Sequence, residues 1–446
     1  MATGGGQPGV PTRVLHTTPW RQAVLTRRLA RHRTATLIAG IAGIALLAPL
    51  AVTADATEAT HGQAQDSSGS ETVIVPGADT PAERTRVART GADVLHMDRN
   101  GLVVHATDRQ VAGLRARGFT PQRHQPLSAA APPPVDDAYH TYDEMTAVLS
   151  DTAEDHPDIT ELTSVGTSYE GRDLPLITIS DTPAQDSAEP AEPEVLFTCT
   201  MHAREHLTTE MCLRIVTRFT SEYGTDPEVT ELVDERTIHV LPMVNPDGAE
   251  YDVSGERYKG WRKSRMPHYW GAVGTDLNRN WAYNWGCCSG SSGYPRSNTY
   301  RGPEPFSDPE TRVVAEFVES RVVDGQQRIA AHIDFHSYGE LVLWPFGFTE
   351  ADTPDGMTEE EYQRFVDVGT AMADTNAYEP MQSSDFYITD GTVNDWMWGE
   401  HEILSFTLEM YPSGGGIDGF YPPGSVIAEE TARNDAAVDL LLREAG

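Results

Sequence analysis

The chain has 446 residues, enough for one large domain and a small one, and its 67 acidic against 33 basic residues leave a formal charge of −34. Phosphate would be repelled over most of such a surface, so nucleic acid is excluded as a partner. The acidity names no substrate and reads as the well-solvated surface of an exported protein.

The first stretch looks like an export signal. Arg13, Arg21, Arg27, Arg28, Arg31 and Arg33 form a basic lead, and Ala35 to Val52 is almost wholly apolar. Ala54-Asp-Ala56 follows as a small-residue cleavage pattern. Residues 1–56 are therefore expected to be a signal peptide cut after Ala56, giving a secreted protein with no stable membrane association. The alternative is an uncleaved anchor, since the apolar run is about long enough to cross a bilayer. Residues 57–72 are Ser, Gly, Thr and acids without periodicity and read as unstructured. Asp93-Val-Leu-His-Met97 and Leu102-Val-Val-His-Ala106 read as strands around the turn Asp98-Arg-Asn-Gly101. A short helix is expected from Asp108 to Gly118. The three consecutive prolines before residue 135 mark a linker. Residues 57–134 thus read as a small α/β pro-segment and its linker, removed by an activating protease, or as an ordinary accessory domain.

The main domain spans 135–446. A helix capped by Thr141 is expected to reach about Asp155, with strands at Leu162–Thr167 and Leu174–Ser180. Glu194–Thr198 is a short apolar strand, and Thr208–Glu222 has helical spacing. Arg236–Val244 reads as a buried strand ended by the turn Asn245-Pro-Asp-Gly248. Residues 249–304 have little periodicity, and so long a structureless stretch in a compact domain is usually functional. A helix at Pro309–Arg321, strands at Ile329–His336 and Leu341–Trp344, a helix at Glu359–Thr375, a strand at Ile403–Glu409 and one long helix from Val426 to Glu444 complete the chain. Strands alternating with helices predict an α/β domain with a mixed, largely parallel central sheet and helices on both faces. The four cysteines, Cys199, Cys212, Cys287 and Cys288, allow three pairings and lack a C-x-x-C spacing, so structural disulfides are expected rather than a zinc-thiolate site.

The chemistry centres on His202-Ala-Arg-Glu205, in the turn where a strand hands over to a helix. Imidazole and carboxylate both suit Zn²⁺, and a catalytic zinc needs three protein ligands and an open position. A third ligand must come from elsewhere, and His336 at the end of another strand is the candidate. His206 and Glu210 compete for the role, and the pair alone reads equally as the charged start of a solvated helix. Arg262 in Trp261-Arg-Lys-Ser-Arg265, Asp276-Leu-Asn-Arg-Asn280, Tyr387, and Glu409 at the end of an apolar strand fall at comparable places. Arg265 reads as a surface arginine.

Taken together these motifs resemble the zinc carboxypeptidases of the carboxypeptidase A type, over roughly residues 139–446. The resemblance implies one Zn²⁺ held by His202, Glu205 and His336, with Asp276 orienting the first imidazole. It implies Glu409 as general base and Arg262 as the group that polarises the attacked carbonyl. Asn278 and Arg279 would grip the terminal carboxylate of a peptide or protein substrate, Tyr387 would close over the bound residue, and Arg204 would touch the substrate backbone. Ser337 and Tyr338 complete the His-Ser-Tyr segment on the substrate side. The specificity position falls on Asn394, neither the acid expected for Lys or Arg nor the aliphatic expected for bulky apolar residues. Leu343, Gly347, Phe386 and Thr407 match other pocket positions. Asp334 shares a strand face with His336, and either presents an acid to the pocket or supports the metal from behind. Release of apolar or aromatic residues, with tolerance of basic ones, by a monomeric enzyme is expected. A catalytically silent peptide-binding relative and an enzyme acting on peptidoglycan stems are the rival readings. No loop has EF-hand spacing.

Overall fold

The computed structural model describes residues 70–124, 132–183 and 192–446. The basic lead, the apolar run, its cleavage pattern and part of the proline-rich linker lie outside these residues. All the described residues belong to one unit, Ala64–Gly446.

The small module opens with β1 (Ser70–Val75), then α1 (Pro81–Ala88), β2 (Asp93–Asp98), β3 (Gly101–Thr107), α2 (Asp108–Ala116) and β4 (Gln122–Arg123). Its antiparallel sheet runs β2-β3-β1-β4. The expectation of an unstructured stretch up to residue 72 fails at its end, where Val73 and Val75 alternate inward onto Val87, Leu102, Val104 and Leu114. Capping boxes start both helices, Thr80 with Glu83 and Thr107 with Gln110.

The main part continues with α3 (Tyr142–Asp155), β5 (Thr160–Thr167), β6 (Asp173–Ile179), β7 (Glu194–Cys199), α4 (His206–Glu222), α5 (Pro227–Glu235) and β8 (Thr237–Leu241). Next come α6 (Pro246–Val253), α7 (Pro309–Ser320), the two-residue strands β9 (Val322–Val323) and β10 (Gln326–Gln327), β11 (Ile329–Ser337) and β12 (Leu341–Trp344). The chain closes with α8 (Glu359–Asn376), β13 (Glu379–Gln382), α9 (Ser383–Phe386), α10 (Val393–His401), β14 (Leu404–Met410), α11 (Ile427–Ala432) and α12 (Asp435–Glu444). The eight-stranded sheet runs β13-β12-β14-β11-β7-β8-β6-β5. Its centre, β14-β11-β7-β8, is parallel, and antiparallel pairs occur at β12/β14, β8/β6 and β6/β5. Val195 and Phe197 of β7 pack into the core beneath α3, α4, α8 and α12, while Leu196 packs with α7 and α10 on the other face. That alternation in a buried strand is what puts helices on both faces.

Two further expectations need correction. Asn245-Pro-Asp-Gly248 is the start of α6, not a plain turn. The Asn245 side chain accepts the Gly248 N–H at 3.0 Å, and proline stands at the first position, where its missing N–H costs nothing. The closing helix is two helices, parted at Arg433 and Asn434: the buried Asn434 side chain accepts from Asn376 at 3.0 Å and donates to the Glu430 carbonyl at 3.0 Å, a local bond that competes with the helix, and Arg433 reaches Glu340 at 2.9 Å.

Candidate metal centre and substrate cleft

β7 ends at Cys199, and Thr200 turns the chain with φ +53° before His202. A disulfide joins Cys199 to Cys212 in α4, and the Thr200 hydroxyl meets those of Thr208 and Thr209 at 3.0 and 2.5 Å. The turn between strand and helix is therefore tied down on both sides. The second disulfide joins the neighbours Cys287 and Cys288, so all four cysteines are bonded.

His202, Glu205 and His336 come together, their ligand atoms all within 4.8 Å of one another. Each imidazole gives its Nε2 to a carboxylate, His202 to Asp276 at 3.0 Å and His336 to Asp334 at 2.6 Å. This fixes the tautomers and turns both Nδ1 atoms inward, 3.0 Å apart and each 2.9 Å from a different Glu205 oxygen. Two lone-pair nitrogens and a carboxylate facing one point fit a divalent cation, and the N₂O donor set is one that zinc takes. Burial alone would raise Glu205, but the two imidazoles hold it below the usual carboxylate range. Asp276 is likewise held low, against burial, by Arg262, Arg279 and His202. The competing donors are used elsewhere: His206 pairs with Asp252 at 3.0 Å and Glu210 with His140 at 2.9 Å. Asp334 is buried behind His336 and is not among the residues lining the cleft, which decides its two readings in favour of support.

A cleft opens beside this centre. Glu409 reaches it from the end of β14, in register with His336. Burial pushes Glu409 up to about 7, His336 opposing and Glu205 adding to the rise. Arg262 is anchored by Asp276 Oδ2 at 3.0 Å, and its Nη1 lies 3.7 Å from Glu205. The Asn278 side chain accepts the Val393 N–H at 3.0 Å, and its nitrogen lies 3.3 Å from His336 Nε2. Arg279 holds its own neighbour's carbonyl at 2.6 Å and meets the Tyr387 hydroxyl at 3.3 Å. Ser337 donates its N–H to Glu205 at 3.2 Å, and Tyr338 gives its hydroxyl to Gly416 O at 2.5 Å.

Farther in, Leu343, Phe386, Thr389, Thr392, Asn394 and Thr407 line a pocket. Asp395 turns away from it to accept the N–H groups of Gly347 and Phe348 at 2.8 and 3.2 Å. A side chain at Gly347 would run into the Thr389 hydroxyl. Arg265 corrects its surface reading: it is half-buried, its guanidinium 3.6 Å from the Tyr251 ring and 4.6 Å from Trp261.

The small module sits on this cleft. Val94 and Leu95 are part of its lining. Arg204, fully buried, pairs with Asp93 at 2.8 Å and stacks on Phe420. Arg84 donates to the carbonyls of Phe386 (at 2.5 Å) and Asp385, and the Thr85 hydroxyl accepts the Ile388 N–H at 3.0 Å. The His96 ring lies 5.4 Å from that of Tyr338. Asp93, Arg84 and His96 carry no sequence signal for this, because their partners are a hundred or more residues away.

Residues 145–437 match the zinc carboxypeptidase family profile. A zinc carboxypeptidase of Saccharothrix mutabilis subsp. capreolus is 46% identical over 410 residues, covering 85% of this chain and 91% of the relative. Carboxypeptidase B of Astacus astacus is 32% identical over 282 residues, covering 62% of this chain and 88% of its own. The crystal structure of carboxypeptidase A from Helicoverpa armigera superposes with a TM-score of 0.69 at 23% identity, over 84% of this chain and 97% of that one, and shows the same fold. The chain belongs to the zinc carboxypeptidase family, metallo-exopeptidases that take one Zn²⁺ per chain.

Proposed function

We propose that the enzyme hydrolyses the C-terminal peptide bond of peptides and proteins with Glu409 as general base, on a metal held by His202, Glu205 and His336. Zinc, when bound, supplies the Lewis acidity that makes water a competent nucleophile near neutral pH. Glu409 takes the proton of the attacking water and passes it to the leaving amine, a task suited to a carboxyl poised near neutrality. Arg262, fixed by Asp276, offers Nη1 to the carbonyl oxygen as charge develops there. Arg279 and Asn278 hold the terminal carboxylate, and Tyr387, 3.3 Å from Arg279, closes over the residue to be released. The observation that carries this reading is the register pairing of Glu409 with His336 beside a converging His-Glu-His set.

The test is hydrolysis of a blocked dipeptide ending in Phe by processed protein, with and without a chelator, beside Glu409→Gln. Chelator-sensitive release of Phe, lost in the variant, is the expected result. No release on Phe, Arg or Lys substrates would favour a peptide-binding or cell-wall role.

Residues 57–134 act as a pro-segment in this reading, following a signal peptide over 1–56 in a secreted precursor. Support comes from Val94 and Leu95 lining the cleft and Asp93 occupying Arg204, the group assigned to the substrate backbone. Equal activity of precursor and processed form would rule it out. The pocket, whose walls beyond the metal centre are apolar or neutral, is read as taking aromatic and apolar side chains and tolerating basic ones. A more than thousandfold difference between Arg and Phe substrates, in either direction, would defeat that dual preference.

A further inference from the structure

Arg204 lines the cleft from the turn between His202 and Glu205, and it is buried beneath the small module. Its Nη2 holds the Asp93 carboxylate of that module at 2.8 Å. A second donor reaches the same oxygen: Asn298 Nδ2 lies 3.2 Å from Asp93 Oδ2. A carboxylate only accepts, so the Asn298 amide must present its nitrogen here. Asn298 stands in a turn of the main part, closed by the Tyr300 N–H on the Ser297 carbonyl at 3.3 Å, and the Tyr300 carbonyl takes the Asp276 N–H at 2.8 Å. Both donors thus belong to the frame that supports the metal centre, and the acid they hold is brought by the module.

This seat has more donors than Asp93 uses. Arg204 Nε and Nη1 are buried and have no hydrogen-bond partner. Buried donors of a charged group are costly to leave unmet, so a ligand that meets them is favoured. Burial alone would raise Asp93, but Arg204 and then Arg262 hold it below the usual carboxylate range, so two cations face the acid. The acids lining the cleft among the described residues, Glu205 and Glu409, stand at the metal centre. Arg204 is two residues from His202 and next to Glu205 in the chain. An extended peptide advances about 3.5 Å per residue, which puts the seat within reach of a side chain a few residues from the scissile bond. Arg279, Asn278 and the pocket are assigned to the released residue, which leaves this seat for the residues before it.

We propose that Arg204 and Asn298 form a carboxylate seat that selects peptides with an acidic side chain among the three residues before the scissile bond, a seat that Asp93 fills in the precursor. The inference rests on the carboxypeptidase and pro-segment readings and sharpens their substrate class. Arg204 Nη2 and Asn298 Nδ2 take the acid once the module has left. The free Nε and Nη1 donors remain for the substrate's carbonyls, so gripping the acid does not compete with holding the backbone. An amide in place of the acid keeps a neutral hydrogen bond but leaves the guanidinium without a counter-charge. A basic side chain would meet the two cations, Arg204 and Arg262.

The full chain, processed and zinc-loaded, would be assayed on blocked tetrapeptides ending in Phe that carry Glu or its isostere Gln at the first, second or third residue before the scissile bond, beside Arg204→Met and Asn298→Ala. One charge-assisted hydrogen bond corresponds to a Glu/Gln ratio in kcat/KM of about tenfold at the preferred position. The ratio is expected to fall to about one in Arg204→Met and to about threefold in Asn298→Ala. A merely structural role for either residue would slow both peptides alike and leave the ratio unchanged. A wild-type ratio near or below one at every position, or a ratio that either variant leaves unchanged, overturns the inference. Should Arg204→Met not fold, Asn298→Ala decides alone: a lowered ratio supports the seat and an unchanged one overturns it. The Gln peptides report separately on the module. Equal rates of precursor and processed protein on them defeat the pro-segment reading, while the Glu/Gln ratio still decides the seat. Release of Phe from none of the peptides overturns the carboxypeptidase reading, and the inference with it.

Discussion

The two ends of the cleft use their polar groups differently. At the metal end the two imidazoles and the Arg262 guanidinium each face a carboxylate: His202 with Asp276, His336 with Asp334, Arg262 with Asp276. At the pocket end the partners are an amide and hydroxyls, Asn394 with Ser405 and Thr407, and the acid next to Asn394, Asp395, is turned onto backbone N–H groups. A buried charge is tolerated only when paired, and removing one member strands the other. A neutral hydrogen bond is worth far less. Substitutions at the metal end should therefore be drastic and those at the pocket end graded.

The sharpest way to break this contrast is at Glu409. Glu409→Gln is expected to lower kcat on a Phe-terminated dipeptide by about a thousandfold or more with KM changed only a few-fold, read from steady-state kinetics. Survival of activity would move the general base elsewhere. Next is the support behind the metal. Asp334→Asn is expected to weaken zinc binding by about ten- to a hundredfold, measured by competition with a chromogenic chelator, while Thr407→Val leaves that affinity alone. Equal effects of the two would erase the difference between the ends.

The docked module gives the next effect. Asp93→Ala leaves Arg204 buried without its counter-charge, so the precursor is expected to gain about tenfold in activity toward the processed level. An unchanged precursor would show that the ion pair does not hold the module in place. The smallest effect concerns pH. His96 is lowered to about 4, by burial first and by His124, with Asp98 opposing. A histidine depressed in the folded state protonates first in the unfolded chain. The stability that depends on its neutrality is therefore full above about 6.5 and is lost as pH falls toward about 4. The precursor's melting temperature should drop across that window by a few degrees more than that of His96→Gln. Parallel curves would assign the acid sensitivity to other groups.

Much of this arrangement was legible from residue types. The strand-to-helix turn around His202 and Glu205, the third donor at His336 and the Glu409 strand end all follow from apolar runs that stop at a chemically able side chain. The Asn245 turn misled because asparagine before proline starts helices as readily as it makes turns. β1 was hidden by its acidic and Ser-rich flank, and its pairing with β3 is set by residues some thirty positions away. Thr198, which holds Asp334, and His332 and Ser405 bonded in turn beyond it gave no signal at all. A polar residue in an apolar strand looks like a tolerated exception until the strand register brings three such exceptions into line.

That register has a consequence for how the protein can vary. In β14 and β11 the residues Ser405, Thr407 and Glu409 stand opposite His332, Asp334 and His336, and Asp334 stands opposite Thr198 of β7. The residues between them, Phe406, Leu408, Ile333 and Phe335, fill the core. β11 takes up one irregularity at its start, between Ile329 and Ala331, but gaining or losing one residue in the middle of these strands would exchange the two sets, putting rings beside the metal centre and acids in the core. The strands behave like a text read in steps of two, in which a spelling change is survivable and a shift of frame is not, so insertions and deletions are expected to be tolerated in the loops rather than mid-strand.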